Sequence, residues 1–311
     1  VKRWGVAVMN TSDVYSYGVV SSSTLYSIKG AFPATQGYAE MDDVQFMTGG
    51  EATNSSIVLS RLGVSVKLDG NWLGADDAGK RTKALLDHYK IDSSRLPLKE
   101  GYEGVSEVVF AAGDTRTIFG TYGRLLEKAE WNMPHEDDIG HAKVVCLDPF
   151  FGEASIRAAE LGHGAGIPVV TVDCPYDGPL AAFASAIVVA QSYIHENYPD
   201  ASLEDLFRRY QSSCSGLVVF TFGSHDLWYA MPGEPVKTFQ PFDVDVVDTT
   251  GGGDAFRAGI VYGYLRKWSP EKAVRFAAAV AGLVCTRFPG VLDAPTRDEV
   301  VRFMDGTGIS G

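Results

Sequence analysis

The sequence predicts a doubly wound α/β fold, in which a mostly parallel central sheet carries a small projecting β-sheet lid. Two features of the 311-residue chain predict it. From about residue 143 onward, short apolar runs alternate with amphipathic helical stretches, the pattern of a parallel sheet buried on both faces. Segments 14–48 and 104–121 are rich in Tyr, Ser, Thr and Val with weak alternation, which is typical of strands with one exposed face. The chain, 1–311, is therefore expected to form one domain with two inserted lid segments.

Apolar runs and their boundaries predict the individual elements. A first core strand is predicted over Trp4–Met9. Later strands, each bounded by Gly, Pro or Asp, are predicted at 143–147, 166–172, 186–190 and 216–222. Amphipathic helices are predicted over Glu153–Leu161 and Ser202–Tyr210. Ser202 followed by Asp205 is the spacing of a helix start.

Charge and cysteine usage exclude several classes of protein. A formal net charge of −12 repels polyphosphate backbones, so no nucleic-acid partner is expected. The cysteines are scattered without a close pair, which disfavours a disulfide framework or a zinc site and favours a reducing compartment. No apolar run is long enough to cross a bilayer, and the N-terminal stretch is too short and broken for a signal peptide. A cytoplasmic protein without a membrane partner is expected.

Residues 246–268 give the strongest indication of chemistry. An apolar strand end meets Gly251, Gly252 and Gly253, and a helical pattern follows. Such glycines let the backbone turn tightly, and the helix start adds free N–H groups, so the segment predicts an anion hole. Asp254 comes next. An Asp at a helix start is usually a cap, but beside a bound phosphate it can also accept a proton from an attacking hydroxyl.

The sequence D-T-T-G-G-G-D at 248–254 resembles the C-terminal signature of the ribokinase-like PfkB carbohydrate kinases, usually written D-T-x-G-A-G-D. Gly252 replaces the usual Ala and keeps the turn possible. The resemblance implies that Asp254 is the catalytic base and that Gly251, Gly252 and Gly253 form the anion hole. It also implies ATP, with Mg²⁺ on the nucleotide, and it spans roughly residues 4–305.

A second segment, GGEATNSSIVLSRLG at 49–63, resembles the N-terminal signature of the same family. The resemblance implies that Gly49 and Gly50 contact substrate hydroxyl groups through close backbone approach, and that Asn54 does so through its amide. The alternative is a glycine turn that opens a helix, with a solvated Asn. Asp13 follows the predicted first strand, where the family has a substrate-binding Asp.

The nucleotide half of the family pattern is less complete. TFGSHD at 221–226 resembles the family's T-x-G-x-x-G turn, which implies that Thr221, Gly223 and Gly253 bind ATP. The family's N-x-x-E motif is absent, because AQSYIHE stands in its place, so no magnesium ligand is assigned. In relatives, the Asp that matches Asp248 helps to bind a monovalent cation such as K⁺. The alternative is that Asp248 caps its own turn.

The resemblance thus implies an ATP-dependent kinase that transfers the γ-phosphoryl group to a hydroxyl of a small sugar. A ketose such as fructose is the favoured acceptor. The alternatives are a nucleoside kinase of the adenosine kinase type and a non-catalytic sugar- or nucleotide-binding protein. A Rossmann oxidoreductase is set aside, because the glycine fingerprint is missing. Apolar side chains on the lid predict a cover, which either substrate closure or a second chain would supply, and the resemblance implies a homodimer through the lid.

Overall fold

The computed structural model describes residues 12–112 and 115–306. Its strands alternate with helices along most of the chain. The strands are β1 (Val14–Gly18), β2 (Ser21–Ile28), β3 (Met41–Gly49), β4 (Val66–Gly70), β5 (Leu73–Gly74), β6 (Leu98–Lys99), β7 (Ser106–Ala112), β8 (Thr115–Gly120), β9 (Val144–Leu147), β10 (Val169–Val172), β11 (Ala186–Ala190), β12 (Leu217–Phe222), β13 (His225–Ala230) and β14 (Lys237–Phe239).

The helices follow the same chain order, and a 3₁₀ turn over Pro149–Phe151 accompanies them. They are α1 (Glu51–Arg61), α2 (Asp77–His88), α3 (Tyr122–Lys128), α4 (Glu136–His141), α5 (Glu153–Gly164), α6 (Pro179–Phe183), α7 (Gln191–Asn197), α8 (Leu203–Ser213), α9 (Gly252–Leu265), α10 (Pro270–Cys285) and α11 (Arg297–Gly306). As the sequence predicts, Ser202 caps α8 by accepting a hydrogen bond from the Asp205 N–H.

The central sheet has the strand order β14-β13-β12-β11-β10-β9-β1-β4. The six strands from β12 to β4 pair in parallel, and β13 and β14 add an antiparallel edge. Alternate residues of each strand face opposite layers: Val144 and Cys146 join the core beneath α1, α9 and α10, whereas Val145 and Leu147 join the core beneath α5 and α8. The prediction of a doubly wound, mostly parallel sheet is confirmed.

Strand β1 corrects the predicted lid boundary, which began at residue 14. All five residues of Val14–Gly18 are buried, and β1 lies between β4 and β9 in the central sheet. Its tyrosines suggested an exposed face, but both hydroxyl groups find buried partners. Tyr15 donates to Asp69 at 2.8 Å, and Tyr17 donates to the Asn132 carbonyl at 2.5 Å. The predicted strand Trp4–Met9 lies outside the described residues.

A separate four-stranded sheet, called here the small sheet, has the order β3-β2-β7-β8. Its inward residues join the core, as Leu25 and Met47 do. Its outward residues stay open: Val44 is 50% exposed and Phe119 is 57% exposed. This one-sided burial explains the weak alternation in the sequence and confirms the prediction of a small separate sheet.

The carboxyl edge of the central sheet positions the functional site. Parallel strands all end at the same edge, so the loops after β1, β9 and β10 meet there. The first turns of α1 and α9 reach this edge as well, and the two helices pack against each other. The glycine-rich segments of the sequence therefore come together although about 200 residues separate Asn54 from Asp254.

Candidate active site

The glycine run after residue 250 forms the tight turn that starts α9. Gly251 takes the left-handed conformation (φ 76°), and a Cβ there would collide with Val291. A Cβ at Gly253 would meet no atom within 4 Å, so this part of the turn is open. The first N–H groups of α9 therefore face a space that a ligand can enter, which is the arrangement of an anion site at a helix start.

Asp254 lies beside these N–H groups in the first turn of α9. Its carboxylate accepts a hydrogen bond from the Asn54 amide at 2.8 Å, and its carbonyl accepts one from the Ser55 hydroxyl at 3.1 Å. Burial raises the pKa of Asp254 to about 7, although Arg257 and the Asn54 hydrogen bond oppose the rise. A carboxylate with a pKa near neutrality is suited to take a proton from a hydroxyl.

A buried ion pair fixes the position of Asp254. Arg257, one turn further along α9, donates to Asp148 at 2.7 Å, and both side chains are inaccessible to solvent. Asp148 also accepts the backbone N–H groups of Val19 at 2.9 Å and Ala52 at 3.1 Å. The pair therefore ties α9 to the start of α1 and to the ends of β1 and β9.

Glu51, the first residue of α1, lies at the same edge and lines the cavity around Asp254. Among the described residues, its buried Oε2 has no hydrogen-bond partner. Burial raises the pKa of Glu51 well above its ordinary value, and the charges of Asp148 and Asp254 raise it further. Glu51 thus places a second carboxyl group in the cavity beside Asp254, and the neighbours of Glu51 favour its neutral form.

The small sheet closes the other side of the site. Arg116 of β8 donates to the Thr249 carbonyl at 2.8 Å, so its guanidinium lies over the turn before α9. The cavity around Asp254 has a volume of about 440 Å³. Its lining combines polar groups around Asp254 with a largely apolar wall, and consists of Val19, Gly50, Glu51, Asn54, Glu107, Val109, Arg116, Ile118, Tyr122, Leu126, Phe150, Thr250, Gly251, Gly253 and Asp254.

Several predicted site residues meet here, but Asp13 does not. Asp13 precedes β1 and accepts hydrogen bonds from the Lys143 ammonium at 2.6 Å and the Ser65 hydroxyl at 2.9 Å. It therefore lies at the amino edge of the sheet, opposite Asp254. The sequence predicts Asp13 at the site because it follows the predicted strand at residues 4–9. In the structure Asp13 comes before β1, and the chain leaves β1 at Gly18.

The two glycines of the N-terminal signature have different surroundings. Gly50 lines the cavity with φ 94°, where a Cβ would collide with the Val19 carbonyl. A Cβ at Gly49 would collide with the carboxylate of Glu107, so this glycine makes room for a side chain of the small sheet. Asn54 binds Asp254, and its own buried Oδ1 has no partner among the described residues.

The predicted nucleotide residues Thr221 and Gly223 lie at the end of β12, on the same edge of the central sheet, and Gly223 has φ 63°. Neither residue lines the cavity around Asp254. Asp248 is almost fully buried; its Oδ1 accepts the Thr250 N–H at 2.9 Å, and its Oδ2 has no partner within the described part of the chain.

Sequence reasoning missed Asp148, Arg257, Glu51, Arg116 and Glu107. Arg257 gave a usable signal, because a charged residue inside an otherwise apolar helical run needs a buried partner. Glu51 could also be identified from the sequence, because it directly follows the two glycines of the N-terminal signature. Arg116 and Glu107 carried no local signal, since their roles depend on how the small sheet folds over α9.

The implied magnesium ion finds no ligand set of its own in the described part of the chain. In residues 12–112 and 115–306, no group of three or more His, Cys, Asp or Glu side chains could hold a metal ion. The described cysteines are all free thiols.

No helix in the described residues is long and apolar enough to span a membrane. A larger cavity of about 600 Å³ between α2 and the small sheet shares no residue with the lining around Asp254.

Comparison with known proteins identifies the family of the chain. Residues 14–161 and 184–297 match the model of the pfkB family carbohydrate kinases. The chain is 28% identical over 285 residues to the ATP-dependent ribose-1-phosphate kinase of Halopiger xanaduensis, covering 88% of this chain and 91% of that protein. It is 23% identical over 268 residues to the ribokinase of Bacillus subtilis, covering 82% and 87%.

The fold is similar to that of solved kinases too. The structure of Arabidopsis thaliana ribokinase complexed with ribose and ATP superposes with a TM-score of 0.78 at 20% identity, covering 94% of this chain and 99% of that one. The family match spans most of the chain and includes the glycine turn, Asn54 and Asp254. The chain therefore belongs to the pfkB family of carbohydrate kinases and is an ATP-dependent phosphotransferase.

Proposed function

We propose that Asp254 is the general base in the transfer of the ATP γ-phosphoryl group to a hydroxyl of a small sugar. The observation that carries the proposal is the position of Asp254. Its carboxylate faces the cavity beside the open turn at Gly253 and is oriented by Asn54. A base next to an anion site is what phosphoryl transfer requires.

The proposed step moves one proton to Asp254 and one phosphoryl group to the acceptor. The acceptor hydroxyl gives its proton to the Asp254 carboxylate while its oxygen forms a bond to the γ-phosphorus. The bond between this phosphorus and the β,γ-bridging oxygen breaks, and ADP leaves with the electron pair. Backbone N–H groups of residues 251, 253 and 254 and the guanidinium of Arg116 stabilise the charge on the group in transfer, whereas the Gly252 N–H donates to the Thr249 carbonyl.

We propose that Thr221, Gly223 and Gly253 contact the nucleotide phosphates. Gly223 and Gly251 adopt the left-handed backbone that a close approach to phosphate needs, and Gly253 leaves open space. Mg²⁺ neutralises the phosphate charge when it is bound, and phosphate oxygens and water would supply most of its ligands.

The acceptor that we propose first is a free sugar with a primary alcohol, and ketoses such as fructose are the first to test. Nucleosides are the second candidate. Val109, Ile118, Leu126 and Phe150 give the cavity an apolar wall against which a nucleobase would pack. A free sugar carries hydroxyl groups on all sides, so it would make fewer apolar contacts with this wall.

The test is an assay of ADP release with ATP and a panel of sugars and nucleosides. We expect release that depends on one class of acceptor and that yields a phosphorylated product. A protein that binds members of the panel but transfers no phosphoryl group would instead be the non-catalytic binding protein that the missing N-x-x-E motif suggested.

We also propose that Asp248 helps to bind a monovalent cation such as K⁺. Its Oδ1 caps the turn through the Thr250 N–H, which leaves the buried Oδ2 for a second partner. A cation there would lie beside the turn that holds the phosphoryl group. We expect turnover to fall when potassium is replaced by tetramethylammonium, and equal rates in the two salts would contradict this proposal.

A further inference from the structure

The small sheet lines one end of the cavity, and polar side chains at this end form a second group that is separate from Asp254. Glu107 of β7 accepts a hydrogen bond from the hydroxyl of Tyr122, and this hydroxyl lies 3.5 Å from the hydroxyl of Ser21. The group depends on Gly49, because a Cβ at that position would collide with both the Glu107 carboxylate and the Ser21 hydroxyl. Chain segments from β2, β3, β7 and α3 thus converge on one carboxylate.

The hydrogen-bond roles in this group are fixed. Burial raises the pKa of Tyr122 far above its ordinary value, and the charge of Glu107 raises it further. The phenol therefore stays protonated and donates to Glu107. A carboxylate has about four acceptor positions, of which Tyr122 fills one. The Glu107 carboxylate, which lines the cavity, can therefore accept further hydrogen bonds from a bound molecule.

The charge of the cavity is unevenly distributed. Glu107 and Asp254 line it, together with Glu51, whose neighbours favour its neutral form, whereas Arg116 is the one Lys or Arg among its described lining residues. Arg116 is held at the opposite end by its bond to the Thr249 carbonyl, beside the turn that starts α9. In the described residues, neither Glu107 nor Glu51 forms an ion pair. An anionic group near Glu107 would therefore meet negative charge without a compensating cation.

We infer that the group around Glu107 is an acceptor subsite that binds a hydrogen-bond donor, a hydroxyl or a protonated amine, and excludes acceptors with a phosphate or carboxylate at that end. This inference rests on the proposed function and names its substrate class. A hydroxyl or ammonium donates to the free lone pairs of Glu107, while its other end places the reacting hydroxyl at Asp254. A phosphate group offers only acceptor oxygens to the Glu107 carboxylate. Its negative charge is therefore repelled, and it forms no hydrogen bond with Glu107.

The inference is tested with acceptors that differ in charge at one end and keep the primary hydroxyl free at the other. The probes are fructose, 1-amino-1-deoxyfructose and fructose 1-phosphate, with ribose and ribose 1-phosphate as a second set and adenosine as the nucleoside. Binding is measured by calorimetry at constant pH and salt in the presence of ADP, and kcat/KM is measured by ADP release. We expect each phosphorylated probe to bind at least about tenfold more weakly than its uncharged parent.

The variant Glu107→Gln keeps the shape and still accepts the Tyr122 hydrogen bond, but it removes the charge. We expect it to reduce the discrimination against the phosphorylated probes about tenfold. The matched control is Glu127→Gln on α3, an exposed residue that does not line the cavity, and it should leave the discrimination unchanged.

Two results would overturn the inference alone: a phosphorylated probe that binds as tightly as its parent, or discrimination that Glu107→Gln leaves intact. A protein that binds none of the sugars, nucleosides or phosphorylated probes and releases no ADP would refute the proposed function and, with it, the subsite. The two failures are therefore distinguishable, because only the second abolishes transfer to every acceptor.

Discussion

The α/β body and the small sheet supply different parts of the same cavity. The body holds Asp254 through Asn54 and through the Arg257–Asp148 pair, in which both side chains are fully buried. The small sheet supplies Arg116 and Glu107 from strands whose outer face is open, with Phe119 57% exposed. The proposed base thus lies in a packed interior, whereas the proposed charge-stabilising Arg116 and the proposed acceptor contact Glu107 lie on a sheet that can change more freely.

The body half of this comparison predicts the largest effect, on stability. Removing the guanidinium in Arg257→Ala leaves Asp148 charged and buried without its partner, which costs about 3–5 kcal/mol. Urea unfolding measures the loss. The control Arg208→Ala removes a solvent-exposed ion pair with Asp205 and should change stability little. Equal stability of the two variants would show that the buried pair does not hold the body together.

The small-sheet half predicts a loss of rate without a loss of stability. Arg116→Ala removes a cation from the position beside the group in transfer and should lower kcat about 100-fold. The melting temperature should be unchanged, because Arg116 is exposed. The control is Arg81→Ala, whose guanidinium stacks on Phe46 of the small sheet at 4.6 Å and does not line the cavity.

If Arg81→Ala lowered kcat as much as Arg116→Ala, the effect would come from weakening the small sheet and not from the charge beside Thr249. Arg116→Lys sharpens the result further. It keeps the charge but loses the planar fork, so we expect it to restore only part of the rate.

The contact between Asn54 and Asp254 predicts a smaller effect, on the pH dependence. The base must be ionised to accept a proton, and the pKa of Asp254 is about 7, so kcat/KM should rise as the pH increases through that value. The Asn54 hydrogen bond favours the ionised form, so Asn54→Ala should move the rising limb to higher pH. A profile that is flat between pH 6 and 8, or a shift to lower pH, would contradict this prediction.

The smallest effect concerns the open face of the small sheet. We expect this face to be covered by a second copy of the chain, because Val44 and Phe119 leave about half of their surface to solvent. Sedimentation should show a dimer, and Phe119→Lys should shift it towards monomer with little change in turnover per subunit. A strict monomer in both cases would leave the small sheet as a cover for the acceptor alone.

The sequence predicted best what is local in the chain. The turn at Gly251–Gly253 and Asp254 are contiguous, and the parallel strands are continuous apolar runs, so both could be recognised without the fold. The pair Arg257–Asp148 joins residues 109 positions apart, and the contact of Arg116 with Thr249 joins residues 133 positions apart. No local pattern specifies such contacts, because they arise from packing.

The wrong assignment of Asp13 has a different cause. The sequence predicts the first strand at Trp4–Met9, which lies outside the described residues, and the Tyr and Ser residues of the buried strand Val14–Gly18 predict a half-exposed strand there. Its hydroxyl groups are satisfied inside the core, which a pattern of polar and apolar letters does not reveal. The predicted strand end, and with it the predicted substrate contact of Asp13, therefore lies at the wrong edge of the sheet.

The central claim is that Asp254 accepts the proton of the acceptor hydroxyl. The most direct test is to measure kcat and the Kd for ATP in Asp254→Asn with an acceptor identified in the unmodified protein. Asn keeps the shape and can still cap α9, but it cannot take a proton, so kcat should fall about 10²–10⁴-fold while the Kd for ATP changes little. Turnover near that of the unmodified protein would show that Asp254 only caps the helix, and would contradict the account.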